Sequence, residues 1–219
     1  MDWSFFQKYA PDYIEAGILT VRIGLIGILL SLLIGILASS IQYFKIPILR
    51  RIVAVYIELS RNTPLLVQLF FLYFGLPKLG IRLSAESCGI IGLAFLGGGY
   101  MAESLRSGLE SVRQIQYESA YSLGFSKTGT LIWIIFPQAL SVAFPSIAAN
   151  VVFLLKETSV FSAIALADLM YVAKDLIGLY YQTTEALTML VIAYLIILLP
   201  VSILASILER RLQYAEFGH

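Results

Sequence analysis

The sequence predicts an all-α membrane protein that crosses the bilayer five times. Of its 219 residues, 59% are hydrophobic and only 13% are charged, and the mean hydropathy is +0.85. A soluble domain of this length cannot bury so much apolar surface, so the expected solvent of this chain is the lipid bilayer. Long apolar runs separated by short charged segments supply the helices.

The predicted spans follow one another along the chain and leave no room for a second domain. They cover residues 18–41, 51–74, 88–105, 131–155 and 187–208. Each run approaches the ~20 apolar residues that a helix needs to cross ~30 Å of hydrocarbon. Residues 1–219 are therefore expected to form a single transmembrane domain.

The basic residues predict how these helices are oriented. Eight Lys and Arg residues lie near the loops after spans one, three and five, and five lie on the opposite face. Because cytoplasmic loops are enriched in Lys and Arg, the N-terminus is expected outside and the C-terminus inside. The segment 156–186 then lies on the outer face. It is too apolar for a free loop and too charged for a sixth span, so a half-inserted helix is expected there.

Several kinds of chemistry are disfavoured by what the sequence lacks. It has no G-x-x-x-x-G-K-[ST] loop, so the chain is not expected to bind ATP itself. The only cysteine is Cys88 and the only histidine is His219, the last residue. Neither a transition-metal cluster nor a Ser-His catalytic pair is therefore expected. The formal net charge of +1 gives no sign of a nucleic-acid partner.

A polar segment at 117–137 interrupts the apolar runs between the third and fourth spans. The stretch 117–123 is typical of a short helix. Gly124 suits the left-handed residue that ends a helix, and Ser126 suits the cap of the next one. Such a short polar helix cannot cross a bilayer, and it is interpreted as a docking site for a protein on the cytoplasmic side. The alternative is an amphipathic helix that rests on lipid headgroups.

Polar side chains inside the predicted spans are candidates for a solute path, because charge in hydrocarbon is costly. Glu103 in the third span either faces a cavity or forms an ion pair with Arg106. In the second span, Gln68 is expected to face the interior, and Glu58 is expected to pair with Arg61.

Two hydroxyl residues, Thr158 and Ser159, follow Glu157 at the end of the fourth span. Hydroxyls at a broken helix can bind the polar parts of a solute. The alternative is that at least one of them caps the following helix. The sequence leaves both alternatives open.

The polar segment resembles the EAA loop of permease subunits of bacterial ABC importers with the type I fold. In that family Glu-Ala-Ala is followed by a glycine and later by a proline. Those places are held here by Glu118, Ser119, Ala120, Gly124 and Pro137. The middle alanine of the family pattern is a serine in this chain, a small change in volume.

Further stretches resemble permeases for polar amino acids, of the histidine/glutamine/arginine type. They are residues 58–77, 100–140 and 156–170. Glu157 stands where the family often has Asp, and Asp168 stands where Glu is more usual. Both differences keep the negative charge and change the length of the side chain that carries it.

The resemblance implies one half of an importer in the bacterial cytoplasmic membrane, crossing it several times. A second permease chain, identical or related, would pair with it. Two ATP-binding subunits would grip the polar segment, and an extracytoplasmic binding protein would deliver the amino acid. ATP and Mg would be bound by the partner ATPase, so the resemblance implies no cofactor and no enzymatic activity for this chain.

Within this family, coupling to the ATPase would involve Tyr117, Glu118, Ser119, Ala120 and Gly124. Glu118 would meet a basic rim on the ATPase, and Ala120 would allow its close approach.

The implied solute path runs between the second, third and fourth spans. Its polar contacts are expected from Gln68, Glu103, Thr158, Ser159 and Asp168. Glu103 or Asp168 would recognise an amino group or a cationic side chain. The alternative function is an ATP-independent secondary transporter or channel, which broken helices and intramembrane carboxylates also suit.

Overall fold

The computed structural model describes the backbone of residues 3–217 and the side chains of residues 3–212. This part of the chain is helical apart from short connecting turns. The helices are α1 (Trp3–Tyr43), α2 (Leu49–Asn62), α3 (Leu65–Phe70), α4 (Ala85–Ser111), α5 (Gln114–Ser122), α6 (Lys127–Thr130), α7 (Phe136–Glu157), α8 (Leu169–Tyr180) and α9 (Thr183–Phe217). Wide π-helical turns lie at Phe71–Gly75 and Leu131–Ile135, and tight 3₁₀ turns lie at Leu76–Leu79 and Thr158–Ile164.

The long helices confirm an all-α membrane protein. Within the described part, four helical segments are long and apolar enough to cross a membrane. They are Trp3–Tyr43, Ala85–Ser111, Lys127–Ile164 and Thr183–Leu212.

The first helix, α1, is much longer than the first predicted span. Its 41 residues correspond to about 60 Å at ~1.5 Å per residue. The early part carries Lys8, Asp12 and Glu15. These charged residues lower the local hydropathy, so a prediction based on apolar runs does not include this part of the helix. Its apolar face, which includes Phe5 and Tyr9, packs on α8 and on the start of α9.

The second predicted span is a path of two helices rather than one continuous helix. α2 ends at Asn62, Thr63 is extended with φ −112° and ψ 123°, and Pro64 precedes α3. A proline lacks the backbone donor and drives the preceding residue into an extended conformation, so the helix stops there. The side-chain amide of Gln68 joins the two pieces, because it donates to the carbonyl of Ser60 at 3.3 Å and to that of Thr63 at 3.0 Å.

Small residues allow α1 and α4 to approach each other closely. A Cβ built on Gly27 would lie 2.7 Å from the Cβ of Leu93, and one on Gly35 would lie 2.5 Å from the Cβ of Met101. Ser31 donates a hydrogen bond to the carbonyl of Leu93 at 3.0 Å, which satisfies its buried hydroxyl. The small-residue face of α1 therefore packs inside this chain.

Replacing Gly108 of α4 by alanine is expected to destabilise the bundle by about 2 kcal/mol or more, because the added atom meets backbone. Its Cβ would lie 2.3 Å from the carbonyl oxygen of Ala139. Gly178→Ala in α8 is the matched control, since a Cβ there meets no described atom within 4 Å and alanine favours helix. Thermal unfolding in detergent measures both variants, and equal unfolding temperatures would contradict this packing.

The segment after α7 combines a buried turn with the expected additional helix. The turn at Thr158–Ile164 ends at Ala165, whose backbone is left-handed with φ 55°. α8 then packs on α1 and α9 through Leu169, Ala173 and Leu176, which are all buried. We call this region the α8 end of the bundle. The opposite region, where α5 lies near the last residue of α1, is called the α5 end.

Candidate functional site

The polar segment predicted as a docking site is a capped helix at the α5 end. The amide of Gly124 donates to the carbonyl of Tyr121 at 3.0 Å, and the amide of Phe125 donates to that of Ala120 at 3.1 Å. Gly124 has φ 84°, a left-handed conformation that glycine adopts readily. The Ser126 hydroxyl then caps α6, accepting a backbone hydrogen bond at 3.1 Å. The predicted left-handed stop at Gly124 and the predicted cap at Ser126 are confirmed. The helix itself, Gln114–Ser122, begins three residues before the predicted stretch 117–123.

The predicted coupling residues divide between two faces of α5. Glu118, Ser119 and Gly124 are exposed, whereas Ala120 is only 1% exposed. The small side chain of Ala120 therefore allows α5 to pack closely on its own bundle. The side chain of Ala120 faces inward, so the close packing seen at this residue is within the chain; its expected role toward a partner protein stays a prediction.

Tyr117 also faces the bundle. Its hydroxyl forms a hydrogen bond with the hydroxyl of Tyr43, the last residue of α1. Burial is the main cause that raises the pKa of Tyr117 above its usual range, so the phenol keeps its proton.

Three apolar side chains outside the predicted coupling set surround the end of α5. Leu123 is 78% exposed, Tyr121 is 46% exposed and Phe125 is 41% exposed. Together with the exposed carboxylate of Glu118, they form a surface of mixed apolar and charged character. Such a surface is typical of a protein contact.

A cavity of about 350 Å³ lies between the break in the second span and the end of α7. Most of its lining is apolar, and we call it the polar cavity after the polar side chains at its wall. Its polar lining consists of Arg61, Asn62, Thr63 and Glu157. The guanidinium of Arg61 lies 5.5 Å from the centre of the Tyr100 ring, which also lines the cavity. This distance allows a cation–π contact that holds the guanidinium at the cavity wall.

Opposite charges adjoin this cavity. Arg61 lies 3.9 Å from Glu103, and Glu103 is bound more closely by Arg106 at 2.5 Å. The ion pair between Glu103 and Arg106, one of the two alternatives for this carboxylate, is confirmed. Arg61 faces Glu103 rather than Glu58, and Glu58 instead accepts a hydrogen bond from Asn62 at 3.0 Å.

The residues predicted to contact a solute occupy several different places. Gln68 bridges the helix break, and Glu103 is held by arginines. Thr158 is fully buried and donates to a backbone carbonyl at 2.7 Å, while Ser159 is half-buried in the 3₁₀ turn. None of them is among the described residues that line the polar cavity, where their neighbour Glu157 lies instead.

Asp168, the remaining predicted contact, is fully buried at the start of α8. Its Oδ1 accepts a hydrogen bond from the amide of Tyr171 at 2.9 Å and so caps the helix. Its Oδ2 is buried with no hydrogen-bond partner among the described residues. Burial raises the pKa of Asp168 to about 6, and backbone hydrogen bonds, first that from Tyr171, oppose the rise.

Asp168→Asn is expected to stabilise the fold at neutral pH and to change it little near pH 4. The pKa of Asp168 rises from 3.8 to about 6 on folding, so the folded state binds the proton more tightly and stability falls as pH rises through that interval. The stabilisation by Asn above pH 6 is at most about 3 kcal/mol. Thermal unfolding in detergent at about pH 4 and about pH 7.5 measures it. A variant no more stable than the unmodified chain at the higher pH would contradict it.

The chain is similar to known transport proteins along almost its whole length. It matches the family described as binding-protein-dependent transport system inner membrane component over residues 23–214. The probable glutamine ABC transporter permease protein GlnP of Bacillus subtilis strain 168 is 36% identical over 178 residues, 80% of this chain and 82% of that protein. The glutamine transport system permease protein GlnP of Escherichia coli strain K12 is 30% identical over 214 residues, 97% of this chain and 98% of that one.

Solved structures share the fold. A chain in the crystal structure of an amino acid ABC transporter with histidines superposes with a TM-score of 0.89 and 31% identity, covering 96% of this chain and 99% of that one. A chain of the MetNI methionine ABC transporter in an inward-facing conformation superposes with a TM-score of 0.73 at 14% identity, covering 97% and 99%.

The capped helix, the apolar bundle and these similarities define a membrane-spanning transport subunit. The chain belongs to the family of binding-protein-dependent transport system inner membrane components. It is a multi-pass protein of the bacterial inner membrane and the permease subunit of an ABC importer, which decides against an ATP-independent transporter or channel.

Proposed function

We propose that this chain is one permease half of an importer that takes up an amino acid. The observation that carries the proposal is α5, an exposed and capped helix that a separate ATPase can grip. Relatives named as glutamine permeases support an amino acid as the solute.

Five crossings of the membrane are proposed for residues 1–219, which would form one transmembrane domain. The crossings are α1, the broken path of α2 and α3, α4, the path from α6 through α7, and α9. The N-terminus would lie outside and the C-terminus inside, which places α5 in the cytoplasm. The excess of basic residues near the α5 end, among them Arg50, Arg51 and Arg113, supports this orientation.

The proposed assembly contains a second permease chain, identical or paralogous, two ATP-binding subunits and an extracytoplasmic amino acid-binding protein. This chain would also contact membrane lipid. ATP and Mg would bind to the ATP-binding subunits, and this chain would carry no cofactor and no nucleic acid. Within the described residues, no group of three or more His, Cys, Asp or Glu side chains is placed to hold a metal ion.

The coupling surface is proposed to be the exposed face of α5. Glu118, Ser119 and Gly124 would contact the ATPase directly, together with the exposed side chain of Leu123. Tyr117 and Ala120 would hold α5 against the bundle, so that force applied to the exposed face reaches the spans.

An amino acid zwitterion fits the charges of the polar cavity. Arg61 is suited to bind the carboxylate and Glu157 the ammonium group, since charge-assisted hydrogen bonds are the strong ones. Glu103 lies 3.9 Å behind Arg61 and helps to fix the guanidinium. The cavity volume of about 350 Å³ lies at the lower end of small-molecule sites, which suits a small solute.

The remaining predicted contacts support this cavity from outside its lining. Gln68 holds the helix break that opens it, and Thr158 and Ser159 form the turn that follows Glu157. Asp168 caps the helix after that turn. Their proposed effect on solute binding is therefore indirect.

Copurification tests the proposal. The tagged chain, coexpressed with the P-loop ATPase encoded nearest its gene and extracted in mild detergent, is expected to retain that ATPase. A chain that purifies without any ATP-binding subunit and alone supports uptake driven by an ion gradient would overturn the proposal.

A further inference from the structure

The helix α1 connects the two ends of the bundle without interruption. It is helical over all 41 residues, with Pro11 inside its first part, where the missing backbone hydrogen bond bends the helix without ending it. Along its length it is held on α4 at Gly27 and Gly35, where a Cβ would lie within 3 Å of the neighbouring helix. Because close-packed helices transmit displacement rather than absorb it, movement at one end of α1 is carried to the other.

At the α5 end, α1 is tied directly to the coupling helix. The hydroxyls of Tyr43 and Tyr117 form a hydrogen bond between residues 74 positions apart in the chain. Tyr117 directly precedes the exposed Glu118, so the tie and the proposed ATPase contact lie on two faces of one helical turn. A cavity of about 60 Å³ adjoins the tie, lined by Tyr43, Leu105 and Phe136 among others. Packing around the end of α1 is therefore incomplete, and the tyrosine pair is a specific polar link across this joint.

At the α8 end, a second tyrosine hydroxyl holds α1. Tyr13 donates to the carbonyl of Ala186 at the start of α9, at 2.7 Å and out of solvent. The ring of Tyr9 lies 5.3 Å from the ring of Tyr180 at the end of α8. Both α8 and the start of α9 are thus fixed to the first part of α1.

We propose that α1 carries movement of the coupling helix to the α8 end, and that the bond between Tyr43 and Tyr117 is where that movement enters. This rests on the proposed function, in which an ATPase displaces α5. Tyr117 then draws Tyr43 with it, and α1 shifts α8 and the start of α9 on the outer face. Tyr43 is a positioning residue that touches neither the ATPase nor the solute.

Removing single hydroxyl groups tests whether movement enters α1 through the bond between Tyr43 and Tyr117. In liposomes containing the complete importer, Tyr43→Phe and Tyr117→Phe are each expected to assemble with the ATPase but to import several-fold less amino acid per ATP hydrolysed. The double variant is expected to be no worse than either single variant, because both hydroxyls serve one bond. Ser40→Ala is the control, since Ser40 lies on the same last turns of α1 and its hydroxyl donates to the carbonyl of Ile36 in its own helix.

A label at the far end tests the transmission. Gly178→Cys in α8 accepts a fluorophore, because a Cβ there meets no described atom within 4 Å, and the native Cys88 is fully buried. ATP binding is expected to change the fluorescence in the otherwise unmodified importer and in the Ser40→Ala background. The change is expected to fall several-fold in the Tyr43→Phe background.

The outcomes separate the two proposals. An unmodified chain that neither assembles with the ATPase nor imports an amino acid would overturn both. An importer that works, but in which Tyr43→Phe and Tyr117→Phe keep the normal import per ATP and the normal fluorescence change, would overturn only the role of α1. Fully additive losses in the double variant would also count against it.

Discussion

Glu118→Lys is expected to abolish ATP-driven import while the bundle remains folded. Glu118 lies on the exposed face of α5, away from the bundle, so reversing its charge disturbs no packing inside the chain. If Glu118 meets a basic rim on the ATPase, as the family resemblance implies, a lysine at this position would oppose that rim, and like charges across an interface cost several kcal/mol. ATPase copurification is expected to fall at least about tenfold, and solute-stimulated ATP hydrolysis is expected to disappear.

The matched control is Glu15→Lys, which makes the same charge change on an exposed residue near the α8 end of the bundle. It is expected to leave ATPase copurification unchanged. Equal losses in the two variants would assign the effect to charge in general rather than to α5. Normal copurification and transport-linked ATP hydrolysis in Glu118→Lys would remove the coupling role.

Gly124→Asp is expected to uncouple the ATPase as well, by straining the end of α5 and adding a charge to the contact surface. Gly80→Asp is a close control, because Gly80 has φ 86° and Gly124 has φ 84°, and neither has a described atom within 4 Å of an added Cβ. The backbone strain is therefore comparable in the two variants. Only Gly124→Asp is expected to lose solute-stimulated ATP hydrolysis.

Arg61→Gln and Glu157→Gln are expected to produce the second large effect, a loss of amino acid uptake with the assembly intact. Each removes one charge from the lining of the polar cavity. A hydrogen bond to a charged group contributes about 1.5–3 kcal/mol, so uptake at low solute concentration is expected to fall about tenfold or more. The concentration dependence of uptake in liposomes measures this effect, and the change is expected in the apparent affinity for the amino acid.

Arg22→Gln is the control for the arginine. Arg22 is an exposed residue paired with Glu86 at 2.7 Å, and an exposed pair of this kind contributes little. The loss of uptake in Glu103→Gln is expected to lie between those of Arg22→Gln and Arg61→Gln, with assembly unaffected. Glu103 helps to hold Arg61 but does not itself line the cavity. Normal uptake kinetics in Arg61→Gln and Glu157→Gln would contradict the assignment of the cavity.

The features that follow from local chemistry were predictable from the sequence. The apolar runs indicated membrane helices, and Gly124 and Ser126 marked the end of one helix and the start of the next. Both signals depend on a few neighbouring residues: a left-handed glycine ends a helix, and a serine hydroxyl caps one. The pair of Glu103 and Arg106, three residues apart on α4, belongs to the same class.

The features that depend on contact between distant elements were not predictable. Arg61 has Glu58 within reach along its own helix, yet it turns to Glu103 of α4, because the packing of α2 on α4 decides its surroundings. Asp168 looks like a solute contact in sequence and is buried where α8 packs on α1 and α9. The bond between Tyr43 and Tyr117 joins residues far apart in the chain and has no signature in either segment.

ATP-dependent uptake by the reconstituted complex tests the central claim most directly. Liposomes would contain this chain with its ATPase and the extracytoplasmic binding protein, and radiolabelled amino acids would be tried one at a time. We expect uptake of at least one amino acid that requires both ATP on the ATPase side and the binding protein, and that persists when ionophores collapse the ion gradients. Uptake that needs no ATP and stops with the ionophores would contradict the claim.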